Sequence, residues 1–172
     1  AEGGLQWPCP SPDEVGPGYL HGRLWADDPI ERGRRAPFSS VDWAGPVDLL
    51  DDDFPIRLTT GRRLDSYNTG VQTSAFTTPM RRPEAIALNP LDVERLGLAD
   101  GQTVRVVSRR GAITAPVAVD ASLRPGLAFM SLHSPDQADV NVLTIDAVDP
   151  RSGTAEFKAT AIRVEPVTAG TA

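Results

Sequence analysis

The chain has 172 residues with 40% hydrophobic and 6% aromatic content, enough for one ordinary domain with an aliphatic core plus an extension. Its formal net charge of −6 argues against a general nucleic-acid binder, and no apolar run approaches the ~20 residues that span a bilayer. One cysteine, Cys9, and two histidines, His21 and His133, exclude an internal disulfide framework and a His-rich metal site.

Residues 1–53 read as an extended strap. They hold the clusters Trp7-Pro8-Cys9-Pro10-Ser11-Pro12 and Gly16-Pro17-Gly18 and the acidic run Asp51-Asp52-Asp53, with little periodic hydrophobicity. Trp7, Tyr19, Trp25, Phe38 and Trp43 also fall here. A disordered tail is poor in aromatic residues, so these side chains are expected to dock on the following domain or on an absent part of a larger protein.

From Phe54 onward the pattern is rich in strands. Ile56–Thr60 and Glu84–Leu88 are short strand candidates. Asn89-Pro90 then starts a helix, with a capping side chain and a proline at the first helical position. Val93, Leu96 and Leu98 form its apolar side, and Gly97 is its stop. The turn Asp100-Gly101 leads into Thr103–Val107, the turn Arg109-Arg110-Gly111 and Ala112–Val119. Pro125-Gly126 precedes Leu127–Leu132. The last strand is Ala159–Val164, behind a polar loop from Ser134 to Gly153. Short strands with one short helix predict a mainly β fold with short helices, closed as a barrel of mixed strands over 54–166. Residues 167–172 form a frayed tail.

The densest chemistry lies in Leu58-Thr59-Thr60-Gly61-Arg62-Arg63-Leu64-Asp65-Ser66-Tyr67-Asn68-Thr69-Gly70. Gly61 and Gly70 can take backbone angles closed to other residues, so that main-chain N–H groups converge. Thr59, Thr60 and Thr69 add neutral donors. Arg62 or Arg63 adds a planar, permanently charged fork suited to phosphate. The combination fits binding of a large phosphorylated ligand rather than catalysis. Further on, Asn141 can both donate to and accept from an amide-bearing ring. Lys158, the sole lysine, can place a point charge near a phosphate. No triad, Walker loop, Rossmann fingerprint or metal-ligand spacing stands out. His133, ending a strand, reads as a structural histidine bonded to a loop carbonyl.

Thr59-Thr60-Gly61-Arg62 with Tyr67-Asn68-Thr69-Gly70 resembles the start of the molybdopterin-dinucleotide-binding domain that closes the large subunits of the dimethyl-sulfoxide-reductase superfamily. The likeness runs on in order through Asn89-Pro90-Leu91-Asp92-Val93, Leu96-Gly97-Leu98-Ala99-Asp100-Gly101, Val104 to Gly111, Arg124-Pro125-Gly126, Asn141-Val142-Leu143-Thr144 and Phe157-Lys158. Gly4-Leu5-Gln6-Trp7-Pro8-Cys9 resembles the segment ahead of this domain in formate dehydrogenases and in periplasmic or assimilatory nitrate reductases, and with Tyr67-Asn68 it leans towards the former.

The resemblance implies a double-psi β-barrel of the aspartate-decarboxylase kind, lidding a bis(molybdopterin guanine dinucleotide) that carries molybdenum or tungsten. Thr59, Thr60, Gly61, Arg62, Ser66, Tyr67, Asn68, Thr69, Gly70, Asn141 and Lys158 are its expected cofactor-binding positions. The metal ligand, the catalytic histidine–arginine pair and any iron–sulfur cysteines would lie in other domains, so neither a catalytic nor a metal-ligating residue is expected here. The isolated chain is expected to be inactive. Expected partners are the remaining domains of the same large subunit and electron-transfer subunits, with no nucleic acid and no membrane span, in the cytoplasm. Where relatives carry a Thr-Arg-Arg element after the second glycine, Val71-Gln72-Thr73-Ser74-Ala75-Phe76 stands instead and Arg81 and Arg82 follow, which leaves open which guanidinium meets a phosphate. Two other readings compete. A nitrate reductase-type domain would share the lid, and a double-psi barrel used for protein recognition would lack nucleotide affinity. A small self-processing barrel enzyme would need a reactive Gly-Ser pair, which is absent.

Overall fold

The structure, a computed structural model, describes residues 11, 13, 38, 40–63, 83–150 and 152–167. The chain divides into two units, residues 1–44 and 45–172. Most of the aromatic stretch expected over 1–53 lies outside the described residues, and none of the described residues of the first unit is in a helix or strand.

The second unit contains β1 (Ile56–Gly61), β2 (Ile86–Leu88), α1 (Pro90–Arg95), β3 (Thr103–Ser108), β4 (Ala112–Val119), β5 (Leu127–Ser131), a 3-10 turn (Val140–Val142) and β6 (Thr160–Pro166). The strands close into a barrel in the order β1-β5-β2-β4-β3-β6. The pairs β1–β5 and β2–β4 are parallel, and the other four are antiparallel. Alternation decides which side chains enter the barrel. In β1, Ile56, Leu58 and Thr60 point inward while Arg57 and Thr59 do not. The core is aliphatic: Ile56, Leu58, Ile86, Leu88, Met130 and Ile162 are completely buried. Each such side chain contributes about 1.5–3 kcal/mol through removal from water.

The helix follows its local code. The Asn89 side chain accepts from the Leu91 N–H at 2.8 Å, Pro90 occupies the first turn, and Gly97 leaves the helix at φ 65°. Buried Asp92 accepts from the Gly126 N–H at 2.6 Å, tying the helix to the turn before β5.

Two strand boundaries differ from the sequence expectation by two residues, for tertiary reasons, and the others by one at most. β2 starts at Ile86 rather than Glu84, because the Glu84 N–H donates to the Gln137 side chain and not into a ladder. β6 runs on to Pro166 because it pairs with β1 and β3, and the β3 register continues to Val104 opposite Pro166. The polar loop after Ser134 is not structureless: it holds the 3-10 turn and an antiparallel bridge between Val148 and Ala155. Among the described residues, no helix is long and apolar enough to cross a membrane.

Candidate functional site

The strand register collects the chemistry at one end of the barrel. Gly61 lies opposite Ser131, Leu58 opposite Thr160, and Ser108 opposite Ile162. The chain therefore leaves β1, β3 and β5, and enters β2, β4 and β6, at the same rim. Residues 60–63, 109–111, 131–134 and 157–159, which are far apart in sequence, become neighbours there.

Two expected motifs are joined directly. The Lys158 ammonium donates to the Thr60 carbonyl at 2.8 Å, and the Thr60 hydroxyl donates to the Phe157 carbonyl at 2.9 Å. Lys158 also lies 5.1 Å from the centre of the Phe157 ring, a distance at which the ring face attracts a cation. Thr60 is buried, so its hydroxyl acts inside the rim, whereas Thr59 is half-buried and Arg62 and Lys158 are exposed.

Gly61 has a different use from the one its residue type suggested. Its φ is not positive; among the described glycines only Gly97, Gly101, Gly126 and Gly153 have that conformation. A Cβ at Gly61 would lie 2.7 Å from the Phe129 ring. Space for an aromatic side chain on the neighbouring strand, not backbone freedom, requires the glycine.

Asn141 sits in the 3-10 turn, capped by Asp139, whose side chain accepts from the Asn141 N–H at 3.1 Å. Its own side chain is exposed and makes no hydrogen bond among the described residues. The next residues fix the turn: Leu143 is completely buried, and Gly111 approaches Val142 so closely that a Cβ there would stand 2.6 Å from the valine side chain. Ser66, Tyr67, Asn68, Thr69 and Gly70, expected in the same site, lie outside the described residues.

Three features of this rim were not legible in the motifs. The His133 Nε2 accepts from the Arg63 N–H at 2.7 Å, a main-chain donor of which the sequence carries no sign. The Ser131 hydroxyl lies 2.6 Å from both carboxyl oxygens of buried Glu84. Asp48 is 3% exposed and accepts from Arg109 at 2.6 Å, Arg110 at 2.5 Å and the Ala161 N–H at 2.9 Å. Burial pushes the Asp48 carboxyl up, but the bonds from Arg110 and Ala161, with the charges of Arg110 and Arg109, outweigh it and hold the group below the ordinary carboxylate value. The adjacent arginines at a hairpin tip were the only sequence signal for this cluster.

The exposed donors at this rim suit an anionic ligand with amide-like edges: an ammonium, a guanidinium and an unengaged carboxamide. On the barrel wall, an open depression of about 350 Å³ is lined by Arg63, Ala87, Ala118, Asp120 and Phe129 among others.

The family model described as the molydopterin dinucleotide binding domain matches residues 56–161. The chain is 35% identical over 166 residues to the F420-dependent formate dehydrogenase 2 subunit alpha of Methanococcus maripaludis, covering 95% of this chain and 24% of that protein. It is 32% identical over 170 residues to the assimilatory nitrate reductase catalytic subunit of Bacillus subtilis, covering 96% and 23%. The chain thus spans about a quarter of the length of these relatives. Among solved structures, acetylene hydratase from Pelobacter acetylenicus matches with a TM-score of 0.62 at 14% identity, over 73% of this chain and 21% of that one; this likeness bears on the fold alone.

Proposed function

The chain belongs to the molydopterin dinucleotide binding domain family, and from that premise we propose that it is the C-terminal cofactor lid of a molybdenum or tungsten oxidoreductase. The ligand is a bis(molybdopterin guanine dinucleotide), and the parent enzyme oxidises formate to carbon dioxide in a two-electron reaction. The six-stranded closure with two parallel pairs supports reading the barrel as double-psi.

The bond from Lys158 to the Thr60 carbonyl carries the proposal, because it joins two motifs expected to face the same ligand. When bound, the group supplies two-electron redox chemistry at its metal. The residues of this chain bind and orient it. Lys158 and Arg62 offer positive charge to phosphate oxygens, the Asn141 carboxamide can pair with a pterin or guanine edge, and Thr59 adds a hydroxyl. Ser66, Tyr67, Asn68, Thr69 and Gly70 complete the proposed set. Buried ring nitrogens that found no partner would each cost about 1–3 kcal/mol, which favours a rim dense in polar side chains. The metal ligand, any iron–sulfur cluster and the electron path belong to other domains or subunits, so the isolated chain turns nothing over. A cytoplasmic location goes with the formate dehydrogenase reading.

The test is metal analysis of the full-length parent protein, with fluorescence of its oxidised, released pterin. Molybdenum or tungsten with about two guanine-bearing pterins per chain is the expected result, and formate then reduces the enzyme. Absence of both metal and pterin from freshly purified, folded protein would overturn the proposal. Reoxidation by nitrate with no response to formate would favour the nitrate reductase reading, which the 32% identity to the Bacillus protein supports.

A further inference from the structure

Asn141 lies in a three-residue turn, and an isolated turn that short has little intrinsic rigidity. Two contacts from the β3–β4 hairpin hold it. Gly111 packs against Val142, and the Arg110 guanidinium donates to the Leu143 carbonyl through Nε at 3.2 Å and Nη2 at 2.8 Å. The same Nη2 lies 2.5 Å from Asp48. Asp48 is itself fixed from three further sides. Its carboxylate accepts from Arg109 and from the Ala161 N–H, and its carbonyl accepts from Arg57 at 2.6 Å. A buried, multiply bonded carboxylate thus reaches a turn already seated by buried Val140 and Leu143, through one planar, two-sided donor.

We propose that Asp48 is a positioning residue for the Asn141 turn. Its carboxylate orients Arg110, and Arg110 holds the Leu143 carbonyl and with it the presentation of the Asn141 carboxamide. The segment that leads into the barrel thereby sets the geometry of a ligand-facing loop more than ninety residues downstream. The functional half of this inference rests on the cofactor reading of Asn141; the mechanical half does not.

The experiment is hydrogen–deuterium exchange of the full-length protein, following a peptide over residues 139–145 against a control peptide over β4. In Asp48→Asn and in Arg110→Ala, exchange over 139–145 rises about tenfold or more while β4 keeps its protection. The double variant exchanges over 139–145 no faster than Arg110→Ala alone, since both changes break one relay. Arg110→Lys keeps the charge but cannot bridge Asp48 and Leu143 together, so it shows the same local rise and serves if Asp48→Asn does not fold. Unchanged exchange over 139–145, an equal rise in β4, or additive effects in the double variant would each overturn the relay. Pterin content of Asn141→Ala separates the two claims. A fall in Asn141→Ala with Asp48→Asn exchanging like wild type sinks the relay and spares the cofactor reading. Unchanged content with the local exchange rise intact supports the relay and sinks the reading of Asn141 as a ligand.

Discussion

The Lys158 ammonium and the Thr60 carbonyl are 2.8 Å apart although the two residues are 98 positions apart in the chain. The bond is made where β1 ends and the approach to β6 begins, and it orients the side chain of the sole lysine at the rim that also presents Arg62. An ammonium has three donors and the carbonyl takes one, so two remain for other acceptors.

Lys158→Met in the full-length protein tests that placement. The exposed side chain contributes about 1 kcal/mol or less to folding, so the unfolding midpoint shifts little. On the proposed role of Lys158, loss of its charge-assisted phosphate contact weakens binding roughly tenfold or more, so pterin-dinucleotide content falls while Lys158→Arg retains most of it. Parallel losses of content and stability would show that Lys158 serves the fold alone.

Gly61→Val is a packing lesion first. The added side chain meets the Phe129 ring, and overpacking of this kind costs about 1–3 kcal/mol. Combining it with Phe129→Ala should recover part of the loss, because the clash disappears. Simple additivity in denaturant unfolding would mean that the ring is not what excludes a side chain at this position.

Asp48 gives stability a defined acid limit. Its folded value is below the ordinary one, so as pH falls the unfolded chain binds the proton first, and the contribution present above about pH 5 is lost as pH drops below ~4 towards the folded value. Urea unfolding of the 172-residue chain at pH 7 and pH 3 should show a smaller pH-dependent difference in Asp48→Asn than in wild type. Equal differences would mean that other carboxylates set the acid limit.

His133 accepts a main-chain N–H in a buried place. His133→Phe strands the Arg63 donor at a cost of about 1–3 kcal/mol. His133→Gln keeps an acceptor and should be milder by a measurable margin in equilibrium unfolding. Indistinguishable variants would place the contribution of His133 in ring packing instead.

Thr160 carries a buried hydroxyl with no hydrogen-bond partner among the described residues. Thr160→Val removes that polar atom at nearly constant shape and should be neutral or stabilising. Destabilisation by more than about 1 kcal/mol would reveal a partner for the hydroxyl.

Local signals were legible wherever the physics is local. Asn89-Pro90 and Gly97 bound α1 because capping and left-handed backbone geometry need only adjacent residues. β4 runs over Ala112–Val119 because it follows a tight hairpin turn at Arg109-Arg110-Gly111. In the sequence Glu84 reads as the start of a strand, but its side chain is buried against Ser131 and its N–H is taken by Gln137, so the ladder begins later. The residue type of Gly61 was informative while its reason was not, since steric exclusion by Phe129 depends on strand pairing.

By itself the sequence determined the elements, the aliphatic barrel core and the ordered motifs that place the chain in its family, because alternation, capping and motif spacing are written along the backbone. Only the tertiary structure decided which of them meet. Closure in the order β1-β5-β2-β4-β3-β6 brings Thr60 to Lys158, Arg63 to His133, and Asp48 to the arginines of a hairpin and through Arg110 to the turn of Asn141. The acidic residues Asp48, Asp51, Asp52 and Asp53 lie almost side by side in the sequence, and nothing local distinguishes them. Burial does: Asp48 alone of the four is enclosed, and a carboxylate removed from water must be paired or become costly.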